Sequence, residues 1–211
     1  TQMNQGKITE SNSKATSNDI EEFASNRSDN IKKMGQDREL HDLRLTLQDR
    51  VQAYGYSYLW SWLGVPVIQT PEDLILLAEI IHKIRPTLVI ETGFARGGSA
   101  VYMQTLMDTY TDASTYIAVD IDVREHNLEN LKEKVPNILK KLHIIEGDST
   151  SPSTKSQIDT IIKNESRNGP RLVHLDSNHT ADHVRKEIEL YDQYLAVGDC
   201  LIVGYTVIEE L

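Results

Sequence analysis

The stretch Thr87–Ala100, TLVIETGFARGGSA, decides how the rest of the chain is read. A β-branched and apolar run stops at Glu91 and turns through Gly93, Gly97 and Gly98. It then passes into Val101, Tyr102, Leu106 and Met107 at roughly helical spacing. A strand buried on both faces is a continuous apolar run, and a turn into a helix start needs glycine where backbone comes close to a ligand or a neighbouring strand. The sequence thus predicts a strand, a glycine turn and a helix, with Glu91, Gly93, Gly97, Gly98 and Ser99 around a nucleotide-like ligand. The competing reading is a βα turn whose glycines serve packing alone. The spacing E-x-G-x-x-x-G-G differs from the G-x-G-x-x-G of pyrophosphate-binding dehydrogenases, and an acid at the strand end suits a ligand that carries a cation or an amine.

Working outward, Thr115–Asp122, Leu142–Asp148, Arg171–Asp176 and Asp199–Val203 read as four further strands. Helical stretches are expected over about 124–134, 153–164 and 180–195. Thr70-Pro71-Glu72-Asp73 has the cap, proline and acid of a helix start, Leu74, Leu77, Ile81 and Ile84 share one face, and Pro86 ends it. Strands alternating with helices predict a Rossmann-like, doubly wound parallel sheet. Ligands in such sheets sit at the carboxyl ends of the strands where the winding reverses, so Glu91, Gly93, Asp120, Asp148 and Asp176 are expected on one rim. Asp120 suits both hydroxyls of a ribose. Asp148 suits an adenine amino group or, equally, a helix cap. Asp176 suits Mg²⁺ or a substrate hydroxyl. His179, beside a helix start, reads as a cap, a substrate contact or a base. The array Asp176, His179, His183 has the residue types of a two-histidine, one-carboxylate iron site, a reading the turn around His179 disfavours.

Residues 1–17 are almost wholly polar and read as a mobile tail. A helical and aromatic segment is expected over 18–69, with sparse apolar residues suited to packing on the domain or on another subunit, and the ligand-binding domain over 70–211. Within the segment, Tyr54–Gln69 holds both tryptophans and ends through Gly64 and Pro66, and it serves either as a packed connection or as a pocket wall. The chain has 211 residues, 39% of them hydrophobic, and a formal charge of −10, which argues against a nucleic-acid backbone as partner. Its single cysteine, Cys200, excludes an intrachain disulfide. No apolar stretch approaches a membrane span and no signal core opens the chain; a cytoplasmic homo-oligomer is expected.

Four motifs carry a resemblance: the run from Tyr56 through Trp62-Leu-Gly-Val-Pro-Val-Ile-Gln69, Ile90–Ser99, Val119–Asn127 and Leu175–Thr180. In this order they resemble the cephalosporin hydroxylase family, a branch of the class I S-adenosylmethionine (SAM) dependent methyltransferases that includes rhamnosyl O-methyltransferases. The resemblance runs from about residue 18 to the end. It implies SAM as cofactor, with Glu91 and Gly93 toward the methionine, Asp120 at the ribose and Asp148 at the adenine. It also implies methyl transfer to a sugar hydroxyl of a glycan, glycolipid or secondary metabolite, with Asp176 and His179 at the reacting end. Members hold Mg²⁺ with the aspartate after the fourth strand and acids after the fifth. Here Gly204 and Tyr205 stand at the acidic position, leaving Asp176 without its usual partner, with Glu209 and Glu210 nearby in sequence. The family fold also continues through two further strands, which this sequence lacks. The fifth strand is then expected to be an open sheet edge. A SAM-binding protein with weak or no catalysis, or an iron oxygenase, are the alternative readings.

Overall fold

The computed structural model describes residues 17–165 and 168–204. The expected tail up to residue 16, and Tyr205, Thr206, Glu209 and Glu210, lie outside them. The chain divides into two compact units, Thr1–Val51 and Gln52–Leu211. In the first, α1 (Ser17–Gln36) and α2 (Arg38–Gln52) are separated by Asp37. That residue caps α2 by accepting the Leu40 N–H at 3.0 Å.

The second unit opens with a 3₁₀ turn (Tyr56–Tyr58) and an antiparallel hairpin of β1 (Trp60–Trp62) and β2 (Val65–Val67). Sequence reading left this stretch open between connection and pocket wall. Leu63 and Gly64 between the strands both have positive φ, 51° and 81°, the conformation a two-residue type I′ turn demands. Then follow α3 (Pro71–Ile84), β3 (Leu88–Thr92), α4 (Gly98–Met107), β4 (Thr115–Asp120), α5 (Glu125–Lys134), α6 (Pro136–Leu139), β5 (Leu142–Glu146), α7 (Pro152–Glu165), β6 (Arg171–Leu175), α8 (Ala181–Tyr191) and β7 (Cys200–Val203). The α3 start is as the sequence predicts: Thr70 Oγ1 accepts the Asp73 N–H, and Pro71 opens the helix.

The five long strands form one parallel sheet in the order β5-β4-β3-β6-β7. The chain winds outward from β3 to β5, crosses back to β6 beside β3, and continues to β7. The winding therefore reverses between β3 and β6. Alternation along each strand sorts the core into two layers. Val89, Tyr116, Ala118 and Leu172 pack under α3 and α4 with Leu77, Ile81, Val101, Met103 and Met107. Leu88, Ile90, Ile117, Val119, Val173 and Leu175 face Ile158 of α7 and Tyr191 of α8. Helix α4 is buried nearly all round because the hairpin covers its outer side. A Cβ on Gly98 would stand 2.1 Å from the Pro66 carbonyl oxygen, so only glycine allows that contact. Residues 54–69 thus belong to the sheet unit and brace the start of α4.

Candidate active site at the switch point

The backbone ladder runs one residue past each strand end: Gly93 N–H donates to Val119 O at 2.8 Å, Gly147 N–H to Asp120 O at 2.7 Å, Asp176 N–H to Thr92 O at 3.0 Å and Gly204 N–H to Leu175 O at 2.8 Å. These bonds set the loops after β3, β4, β5, β6 and β7 along one rim. At its centre, between β3 and β6, lies a cavity of about 160 Å³. Its walls are the glycine loop (Gly93, Phe94, Ala95, Arg96, Gly98, Ser99), the end of the hairpin (Pro66, Ile68) and the β6–α8 loop (Asp176, Ser177, His179). Gly93 has φ +91°, and a Cβ there would stand 2.1 Å from the Asp176 carbonyl oxygen, so the two central strands close on each other only with glycine at this position. A larger cavity, about 540 Å³, lies away from this rim between Asn168–Arg171 and Gln193–Asp199. Its charged groups are used internally: Asp199 accepts the Arg171 and Ala196 N–H groups, and Arg171 Nη1 donates to Tyr194 O.

Asp120 ties two loops together. Its Oδ2 accepts the Ala95 N–H at 2.7 Å and its Oδ1 the Asp122 N–H at 3.0 Å. Ala95 is left-handed, φ 46°, a conformation that strains a residue with a Cβ. It is held from both sides, since Asn127 Nδ2 also donates to Ala95 O at 2.9 Å. Each carboxylate oxygen keeps a second acceptor site for a ligand hydroxyl. Next to Asp120, Ile121 is 71% exposed on the rim.

Glu91 does not line the cavity. It is fully buried in the α3/α4 layer, accepting the Tyr116 hydroxyl at 2.9 Å and facing His174 Nδ1 at 3.5 Å. The last distance is an ion-pair contact too long for a good hydrogen bond, and Glu91 Oε1 and His174 Nδ1 have no other partner. The reason is alternation: Glu91 shares a face with Val89, and that face turns beneath the loop rather than out of it. Burial pulls His174 down, but Glu91 and Asp176 outweigh it and hold the imidazole above its ordinary value. Burial, with Glu91 beside it, drives the Tyr116 phenol well up.

Asp176 is the most perturbed carboxyl of the rim. Burial, reinforced by Glu91 and Asp73, pushes it up to about 7 against the opposing pull of His174 and Gln69. Its Oδ2 accepts the Gln69 side-chain amide at 2.6 Å, while Oδ1 is buried without a partner. A Cβ on Gly204 would stand 2.4 Å from that Oδ1. Sequence reading missed Gln69, although it closes the first of the four motifs, because a glutamine carries no signal until its partner is known. His179 lies in the cavity wall, and burial lowers its pKa against the raising pull of Glu187. Asp148 is bound up in its own loop, accepting Thr150 N–H and Oγ1–H, both at 2.8 Å. Those bonds hold its carboxyl below the usual range. The cap of α7 is instead Ser151, whose Oγ accepts the Thr154 N–H at 3.2 Å.

Two metal readings can be tested on these contacts. His183 Nε2 faces Ser149 Oγ at 3.1 Å and Glu187 at 3.4 Å, so Asp176, His179 and His183 do not converge. For Mg²⁺, Asp176 offers a carboxylate one oxygen of which already faces an N–H donor, with glycine at position 204. Among the described residues no group of three or more His, Cys, Asp and Glu side chains is placed to hold a metal. They do not by themselves compose a magnesium site.

The model of the Rhamnosyl O-methyltransferase/CmcI family matches residues 54–211. The chain belongs to this family. Curated members of similar sequence are the rhamnosyl O-methyltransferases of Mycobacterium leprae, 32% identical over 71% of this chain, and Mycobacterium bovis, 31% identical over 71%. The chain spans 62% and 59% of the length of these relatives. Two solved CmcI structures share the fold: one described as apo (TM-score 0.51, 18% identity, 71% of this chain and 58% of that one) and one described as Mg-SAM (TM-score 0.50, 18% identity, 69% and 57%). The family match covers the hairpin, the glycine loop, Gln69, Asp120, Asp148 and Asp176, and excludes α1 and α2.

Proposed function

We propose that the chain is a SAM-dependent O-methyltransferase acting on a sugar hydroxyl of a glycan, glycolipid or secondary metabolite. The observation that carries the reading is the meeting of the glycine loop and Asp176 around one cavity at the switch point, with Asp120 bonded to Ala95 of that wall. Gly97, left-handed with φ 79°, sets the start of α4 at the cavity wall. There Gly98 and Ser99 bring the N-terminal, electropositive end of a helix to a carboxylate such as that of methionine. Asp120 takes the ribose hydroxyls on its remaining acceptor sites. Ile121 offers the adenine an apolar surface, and Asp148 borders it. Glu91 acts from beneath, fixing β3 and β4 through Tyr116.

Bound SAM would supply the methyl group to the acceptor oxygen by in-line displacement. Asp176, half ionised near neutral pH, takes the proton that the acceptor hydroxyl gives up. Gln69 keeps its carboxyl turned toward the hairpin side, and His179, whose pKa burial lowers, stands at the same wall. The solved neighbour described as Mg-SAM supports the cofactor, and the curated relatives named rhamnosyl O-methyltransferases support the sugar class.

Calorimetric titration with S-adenosylhomocysteine, with and without Mg²⁺, tests the reading. Micromolar binding abolished by Asp120→Ala, and label transfer from methyl-labelled SAM to a rhamnose-bearing glycolipid, are expected. Binding without transfer to any sugar acceptor would favour the non-catalytic alternative, and no binding to the folded chain would end both.

A further inference from the structure

Glu187 of α8 is a fully buried carboxylate that the proposed reaction does not use. It stands on the stripe of α8 that carries Tyr191 into the core. Its hydrogen-bond partner is in the β6–α8 loop: Ser177 Oγ donates to Glu187 Oε1 at 2.7 Å, while Oε2 has no partner among the described residues. One turn earlier on the helix, His183 Nε2 stands 3.1 Å from Ser149 Oγ and 3.4 Å from both Ser177 Oγ and Glu187 Oε1. One turn later, the Tyr191 hydroxyl donates to Ser149 O at 2.9 Å. His183, Glu187 and Tyr191 follow one another at every fourth position and so share one face of α8. That face holds the β6–α8 loop at Ser177 and the β5–α7 loop at Ser149. The grouping is not a nucleophile relay, because serine and acid face the same ring nitrogen, whereas a relay sets them on opposite nitrogens.

A buried carboxylate is a poor device for holding a helix against a sheet. Its desolvation offsets much of what its bonds contribute, and an apolar side chain of similar volume often serves stability as well or better. What the carboxylate supplies and an apolar group cannot is a fixed direction for the Ser177 hydroxyl. Ser177 lines the cavity together with Asp176 and His179. Glu187 also pulls the His179 pKa upward, so its charge reaches the loop at a second residue. At the cavity's other side the loop is held at Asp176, by the N–H bond to Thr92 O at 3.0 Å and by Gln69 on the side chain. We propose that Glu187 is a positioning residue for the acceptor side of the site: through Ser177 it sets the β6–α8 loop, and with it the place of Asp176 and His179 along the cavity wall. The inference rests on the methyl-transfer reading above. The glycine loop and Asp120 are tied instead to Asn127 and Asp122, so cofactor binding and acceptor alignment depend on different bonds.

Combining Ser177→Ala with Glu187→Met separates alignment from stability, because donor and acceptor leave together and an apolar side chain of similar volume takes the space. The expected result is a melting temperature equal to or above that of the unmodified chain and an unchanged affinity for S-adenosylhomocysteine. Hydrogen exchange is expected to quicken over residues 177–180, and kcat for methyl transfer to a rhamnose-bearing glycolipid to fall about 100-fold with little change in KM. Glu187→Gln, which keeps an acceptor for the Ser177 hydroxyl, is expected to retain most of the turnover. A double variant that unfolds, or that loses cofactor affinity in step with turnover, would overturn the proposal by making the bond a general support of the fold. Unchanged turnover in the double variant would overturn it by making the bond idle. If the unmodified chain transfers no methyl group, the reaction reading fails by itself, and exchange decides the positioning: faster exchange over 177–180 in the double variant upholds it, and unchanged exchange overturns it.

Discussion

Asp176 joins the chemistry of the rim to its stability. A carboxyl whose pKa is raised on folding contributes stability below its unfolded value, near 4, and loses it as pH rises through the folded value, about 7. The folded chain is therefore expected to lose stability between pH 4 and pH 8 on this residue's account. Asp176→Asn, which retains an oxygen for Gln69, is expected to raise the melting temperature at pH 8 and leave it unchanged near pH 4; equal melting shifts at both pH values would show that the carboxyl is not buried as described. A second residue-scale expectation concerns Tyr116→Phe. It strips a fully buried carboxylate of its one good donor, which costs about 2–4 kcal/mol. Glu91→Gln in the same chain should return part of that in urea titrations, because the amide carries no charge to desolvate.

Among the elements, the hairpin is the piece that fixes the cavity's outer wall. Gly98 meets backbone atoms of Pro66 and Val67 where a Cβ would go, and backbone cannot step aside as a side-chain tip can. Gly98→Ala is thus expected to lift the hairpin from α4 and cut S-adenosylhomocysteine affinity by about tenfold or more while the sheet persists, since Pro66 and Ile68 are cavity walls. Unchanged affinity would remove the hairpin from the binding machinery. The difficulty of reading this element from sequence has a physical origin. Its two strands are three residues each, too short for a period to declare itself, and the turn places a leucine at positive φ, where the usual signal would be Asn or Gly.

At the scale of the whole molecule the two units differ in what protects them. Strands β3, β4 and β6 are buried on both faces, whereas α1 and α2 bury no described side chain. Hydrogen exchange is expected to be slowest in those three strands and near the unprotected rate in α1 and α2. The parallel sheet was legible in the sequence because strands covered on both faces must be apolar runs, and their carboxyl ends declared themselves through Glu91, Asp120, Asp148 and Asp176. Which way those acids turn was not legible. Glu91 goes beneath the loop through the parity of one residue, Asp148 satisfies itself on Thr150, and Asp176 is paired with an amide 107 positions away. Each outcome depends on packing that no local pattern records.

The junction of β3 with β6 has a bearing on biosynthesis. Asp176 N–H reaches Thr92 across 84 positions, and Gly93 and Asp176 become neighbours only through that junction. Contacts so distant along the chain form late, because the intervening segment must first be ordered. On the ribosome the glycine loop emerges long before the strand that completes it. Until β6 (Arg171–Leu175) is made, the nascent chain therefore exposes one unpaired side of β3, a surface on which a folding chaperone can act.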